Sequence, residues 1–201
     1  MSTIVFATNN AHKLQELRDI VGSCLNVVSL SEIGCHDDIP EDSDTLEGNA
    51  LAKARWVCSR YNTACFADDT GLEVDALDGA PGVYSARYAG GEGHDAAANT
   101  ALLLKNMQGV EACARTARFR TVIALVCPDG AEHLFEGCVE GMILENPLGE
   151  GGFGYDPVFA PAEWGGQRSF AQASAAEKNA ISHRGRATAK LIAFLTAADK
   201  K

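Results

Sequence analysis

The stretch Cys65-Phe66-Ala67-Asp68-Asp69-Thr70-Gly71-Leu72-Glu73-Val74-Asp75 decides how the chain is read. An apolar run stops at two adjacent acids and a glycine, and an alternation of apolar and acidic residues then begins. Cys65 to Ala67 is expected to form a short buried strand, Thr70-Gly71 a sharp change of direction, and Leu72 onward a second strand. Asp68 and Asp69 then stand at the carboxyl end of a strand, the edge at which a sheet flanked by helices binds its ligands. Two neighbouring carboxylates repel unless a cation or proton joins them, so the pair points to a divalent metal. A solvated acidic turn is the alternative at this point.

Upstream, Ile4 to Ala7 reads as a buried strand, and Thr8-Asn9-Asn10 as a turn whose last residue caps a helix carrying Leu14, Leu17 and Val21 at helical spacing. Val27-Val28 suggests a further strand, and Ser31 to Ser43 an acidic loop containing Pro40. Asp44 with Glu47 resembles a capping pair for a long helix whose one face holds Leu46, Ala50, Ala54, Val57 and Tyr61. The order strand, helix, strand, helix, strand favours an α/β sheet with parallel pairs at its heart. Downstream, Asp78 to Gly82 is turn chemistry, Gly90-Gly91-Glu92-Gly93 suggests a hinge or lid, and Asp95 caps a helix with Leu102, Leu103 and Met107. Arg118 to Cys127 and His133 to Val139 form two strands around the turn Pro128-Asp129-Gly130, which makes the sheet mixed. Ala187, Leu191, Phe194 and Ala198 mark an amphipathic helix at the end.

With 201 residues, 46% hydrophobic and 22% charged, the chain suits one globular domain, residues 1–201. A formal net charge of -10 opposes binding to polymeric nucleic acid, where affinity comes largely from Lys and Arg on phosphates, but leaves small anions open at a local site. Seven cysteines without a Cys-x-x-Cys pair read as reduced, and so as cytoplasmic. The apolar stretch Ile4 to Ala7 is too short for a signal peptide, and the longest apolar run, Val122 to Cys127, cannot span a bilayer, so no membrane partner is expected.

Three further places carry chemistry. The helix start after Thr8 brings free N–H groups, the Thr8 hydroxyl, the Asn9 and Asn10 amides and the Lys13 ammonium to where a phosphate binds, unless Asn10 only caps the helix. Gly149-Glu150-Gly151-Gly152-Phe153-Gly154 matches the dinucleotide fingerprint in form, but Tyr155-Asp156-Pro157 follows where a helix is needed, and Pro157 drives Asp156 out of helical conformation. A glycine-flanked Phe153 near Asp156 instead suits a flat ligand that stacks on a ring and meets a carboxylate, unless Phe153 is a core residue and Asp156 a turn acid, the alternative that these residues alone slightly favour. Lys178, His183, Arg184 and Arg186 gather around a break, Ser182 to Arg186, as an unusual concentration of positive charge in an acidic chain.

The blocks Phe6-Ala7-Thr8-Asn9-Asn10-Ala11-His12-Lys13, Glu47-Gly48-Asn49-Ala50 with Lys53-Ala54, Ala67-Asp68-Asp69-Thr70-Gly71-Leu72, Gly79 to Arg87, Gly152 to Pro157 and Lys178 to Gly185 together resemble the inosine triphosphate pyrophosphatases. The resemblance covers nearly the whole chain. It implies a mixed α/β fold with a long curved central sheet, flanking helices and two lobes around an active-site cleft, in a homodimer. It implies magnesium-dependent hydrolysis of purine nucleoside triphosphates such as ITP, dITP and XTP to the monophosphate and pyrophosphate. Carried over, Asp69 is the proton acceptor and a metal ligand, with Asp68 and Glu41 as further ligands. Thr8, Asn9, Asn10, Ala11, His12, Lys13 and Thr70 hold mainly phosphate and sugar. Phe153, Gly154, Tyr155, Asp156, Lys178, His183 and Arg184 complete the pocket, with Lys178 on the phosphate chain and Phe153, Asp156, His183 and Arg184 selecting the base. The loop Pro40-Glu41-Asp42 departs from the commoner bacterial pattern of two adjacent glutamates. A non-catalytic purine nucleotide sensor, or a pyrophosphatase for a pyrimidine or methylated nucleotide, are the competing functions.

Overall fold

Strand β1 (Thr3–Phe6) places its β-branched residues beside those of β2 (Asn26–Ser29) in parallel register, with Val5 opposite Val28. Between them runs α1 (Ala11–Val21), capped by the Asn10 side chain as expected and burying Leu17 and Val21. The structure is a computed structural model that describes residues 3–37, 39–90 and 95–198. The expected hinge at Gly90–Gly93 lies largely outside the described residues.

Helix α2 (Leu46–Tyr61) buries Leu46, Ala50, Ala54 and Val57 of the expected apolar face and leaves Tyr61 half-buried, and its cap is Thr45, whose hydroxyl accepts from the Gly48 N–H, and not Asp44. A larger correction concerns the acidic stretch. Cys65–Val74 is one unbroken strand, β3, with no change of direction at Thr70-Gly71. Gly71 is there for close approach: a Cβ on it would stand 2.7 Å from the Gly82 carbonyl oxygen of β4 (Pro81–Gly82), which pairs antiparallel with β3. The remaining elements are α3 (Ala96–Asn106), β5 (Thr116–Val126), β6 (Glu132–Ile143), β7 (Phe159–Pro161), α4 (Ala175–Ile181) and α5 (His183–Ala198). Asp95 caps α3 as expected, and the turn after Cys127 closes with a Gly130 N–H to Cys127 carbonyl bond of 2.9 Å.

The sheet order is β2-β1-β3-β5-β6-β7, with β4 on β3 outside that path. β1 pairs parallel with β2 and β3, whereas β6 and β7 pair antiparallel, so the fold is the expected mixed α/β one. Two compact units divide the chain, each with its own core. The first comprises Met1–Asp69, Thr121–Gly137 and Arg184–Lys201, and packs Phe6 on Phe66 at 4.7 Å among Leu17, Val27, Ile123 and Leu191. The second comprises Thr70–Arg120 and Cys138–His183, and gathers Leu72, Leu103, Phe119, Val139, Phe159 and Phe170. No helix among the described residues is long and apolar enough to cross a membrane.

Candidate active site

In the first unit the chemistry collects around β3. Successive strand residues point to opposite faces, and Asp68 and Asp69 accordingly find different partners. Asp68 is 1% exposed; its Oδ1 accepts from Lys13 Nζ at 3.1 Å and its Oδ2 from Arg184 Nε at 3.2 Å. Arg184 also donates through Nη1 to Glu16 of α1. Burial pushes the Asp68 carboxyl up, but the charges of Lys13, Arg184 and Lys53 outweigh it and hold the group below the ordinary carboxylate range.

Asp69 has a different setting. Its Oδ2 accepts from Asn49 Nδ2 at 3.1 Å, and Lys53 Nζ stands 3.8 Å from its Oδ1. Lys53 also donates to Glu41 Oε1 at 2.6 Å and to the Asp68 carbonyl at 2.8 Å. Asn49 is fixed in turn by the Ser43 N–H on its Oδ1 at 2.9 Å. Burial raises the Asp69 carboxyl above its usual value, and Lys53 and Lys13 reverse this only in part. The same acids hold the buried Lys53 ammonium above its usual value against the effect of burial. Mutual repulsion of Asp68 and Asp69 is therefore not the organising feature, because each carboxylate has its own donors.

Among the described residues, no group of three metal-ligating side chains comes together. Asp69 and Glu41 nevertheless converge on one ammonium, and two hard carboxylates suit Mg²⁺, which binds through one or two carboxylates together with substrate phosphates and water. Both Asp68 oxygens are occupied by Lys13 and Arg184. At the start of α1, the Thr8 hydroxyl accepts the Asn10 N–H and the Asn10 side chain accepts the Lys13 N–H, which shapes the turn. Asn9, Ala11 and His12 are exposed beside it.

The second unit holds the aromatic constellation. Asp156 Oδ2 accepts from the Phe153 N–H at 2.8 Å and from Lys178 Nζ at 2.7 Å. The Lys178 ammonium lies 4.7 Å from the Phe153 ring centre and 5.8 Å from that of Phe170, so it covers one face of Phe153. Gly152 adopts φ +71°, and a Cβ there would meet Asp156 Oδ2 at 2.1 Å, so this position takes only glycine. The Gly154 carbonyl accepts from the Thr100 hydroxyl, and buried Tyr155 donates its hydroxyl to the Ser85 carbonyl. His183 stacks on Phe119 at 4.6 Å and 18°. Thr70 is half-buried in β3. The loop continues into turns and β7 with no helix after it, in line with rejecting the dinucleotide fingerprint. The expected basic break narrows to Ser182 alone, since α5 begins at His183, and His183 and Arg184 are buried.

Sequence reasoning missed Glu16, Asn49 and Lys53 as site residues. The available signal was Asn49 and Lys53 at i, i+4 among the small residues Ala50 and Ala54, polar groups on an otherwise apolar helix face.

A sequence profile of the Ham1 family matches residues 4–194. A Porphyromonas gingivalis protein named dITP/XTP pyrophosphatase is 54% identical over 198 residues, covering 98% of this chain and all of the relative. The solved Ham1 protein of Staphylococcus aureus superposes with a TM-score of 0.87 at 38% identity, covering 98% of this chain and all of its own. A Mycobacterium abscessus structure, described as a nucleoside-triphosphatase or dITP/XTP pyrophosphatase, gives 0.77 at 45% identity over 94% of this chain and 98% of its own. With a Lys13–Asp68–Arg184 network around a buried Asp68, an Asn49-held Asp69 and a Phe153–Lys178–Asp156 cluster on matching sequence blocks, this chain belongs to the Ham1 family.

Proposed function

We propose that the chain hydrolyses deaminated purine nucleoside triphosphates, dITP, ITP and XTP, to the monophosphate and pyrophosphate, with residues 1–201 acting as one catalytic domain. The single observation that carries the mechanism is Asp69: a carboxylate oriented by Asn49, raised by burial and standing beside Lys53. A carboxylate whose proton affinity is raised above the ordinary range is suited to accept a proton from water. The water oxygen bonds to the phosphorus at one end of the α–β bridge, that bridge breaks, and the water proton passes to Asp69. Lys13 and the N–H groups at the start of α1 bind phosphate oxygens, and Asp68 holds Lys13 and Arg184 in place for this. Asp69 and Glu41 would hold Mg²⁺, which when bound neutralises phosphate charge and polarises the phosphorus under attack.

Base recognition belongs to Phe153, Asp156, His183 and Lys178. Lys178 covers one face of Phe153, so the purine stacks on the other. Hypoxanthine and xanthine present a 6-oxo acceptor and a protonated N1, whereas adenine presents the reverse, and His183 supplies the donor for the 6-oxo group. Arg184 serves the phosphate side, since its guanidinium is shared by Asp68 and Glu16. The resemblance supports a cytoplasmic homodimer. The test is pyrophosphate release from ITP, dITP, XTP, GTP, ATP, dUTP and TTP with magnesium and with excess EDTA. The expected result is release from the first three only when magnesium is present. Binding of ITP without turnover would support a sensor, and preference for dUTP or TTP would support a pyrimidine enzyme.

A further inference from the structure

We infer that Ser85 is a positioning residue that ties β3 to the loop carrying Phe153 and so sets where the purine base stacks; this deepens the nucleotide reading and rests on it. Ser85 is buried at the start of a 3-10 turn, Ser85–Arg87, and makes three hydrogen bonds in three directions. Its Oγ accepts from the Leu72 N–H of β3 at 2.8 Å and donates to the Gly82 carbonyl at 2.6 Å. Its own carbonyl accepts from the Tyr155 hydroxyl at 2.8 Å. Tyr155 lies two residues beyond Phe153, so one residue joins the strand to the aromatic loop.

The far side of the same turn is clamped independently. Asn99 of α3 accepts the Ala89 N–H at 2.7 Å and donates to the Ala86 carbonyl at 3.0 Å, while the adjacent Thr100 reaches the Gly154 carbonyl. Both the turn and the loop are thus anchored to one helix, and the Ser85–Tyr155 bond closes the connection between them. Burial raises the Tyr155 phenol above its usual value, which keeps it protonated as a donor. Tyr155 is 5% exposed and its hydroxyl is engaged, so it acts on substrate through the pose of Phe153. An unpaired backbone N–H at Leu72 within β3 is the cost of removing the Ser85 hydroxyl.

The experiment measures kcat and KM for ITP in Tyr155→Phe, Ser85→Ala and the double variant, together with inhibition by inorganic tripolyphosphate, which has no base. Tyr155→Phe removes one oxygen and no packing volume. Each single change is expected to raise KM for ITP by about tenfold, the worth of one buried hydrogen bond, with kcat little altered. Tripolyphosphate inhibition should be unchanged, and the double variant should lose no more than the worse single one, because both act through one link. Unchanged KM in both single variants, or equal weakening of tripolyphosphate, would overturn the inference. If the unaltered chain released no pyrophosphate from ITP, the functional reading itself would fall and this inference with it.

Discussion

Removing the amide of Asn49 takes away a donor that favours the charged form of Asp69, while burial already holds that carboxyl above its ordinary range. The acidic limb of the kcat/KM profile should therefore lie above the usual carboxylate value of about 4, and Asn49→Ala should move it higher still. A limb that stays in place or moves down would contradict this role. Asp69→Asn should cost about three decades of rate, roughly 4 kcal/mol, since the proton acceptor is gone. Asp68 works in the opposite sense: its depressed folded value means that its stabilisation is complete above the unfolded value near 4 and is lost as pH falls through the folded one. Asp68→Asn leaves Lys13 and Arg184 without their shared acid, and chemical denaturation should register a loss of about 3–5 kcal/mol. At this scale the sequence announced Asp68 and Asp69 but not their separate tasks, because the residues that distinguish them, Lys13, Asn49, Lys53 and Arg184, approach from three different helices.

Elements were legible where local chemistry decides them. The Asn10 and Asp95 caps, the apolar face of α2 and the turn at Pro128-Asp129-Gly130 all follow from residue spacing within a dozen positions. The continuity of β3 was not legible, since Gly71 looks like a turn residue until β4 is known to lie against it. Gly71→Ala should force a Cβ against the Gly82 carbonyl, a backbone atom with little freedom to yield, and destabilise the protein by about 1–3 kcal/mol. An unchanged denaturation midpoint would show that β3 and β4 tolerate wider separation. The start of α5 was also hidden, because Ser182-His183-Arg184 reads as a polar surface break although His183 stacks on Phe119 and Arg184 is neutralised by two acids. Buried charge of this kind is invisible to hydropathy.

For the whole molecule, the alternation of elements pointed to parallel pairs, the hairpin around Pro128-Asp129-Gly130 made the sheet mixed, and two lobes were implied by the resemblance alone, whereas the boundaries of the two compact units were not legible. Both units interleave segments distant in sequence, and composition carries no mark of such boundaries. A net charge of -10, with Lys53 and Arg184 buried among acids and Lys13 half-buried beside Asp68, suits a small anion at a local site and disfavours a nucleic-acid surface. The proposed homodimer predicts a sedimentation mass twice that of the chain at micromolar concentration, and a single-chain mass would refute it. The most direct test of the central claim is chromatographic analysis of the products of dITP turnover in magnesium. Deoxyinosine monophosphate and pyrophosphate in equal amounts are expected; deoxyinosine diphosphate with orthophosphate, or no turnover of dITP at all, would overturn the proposed function.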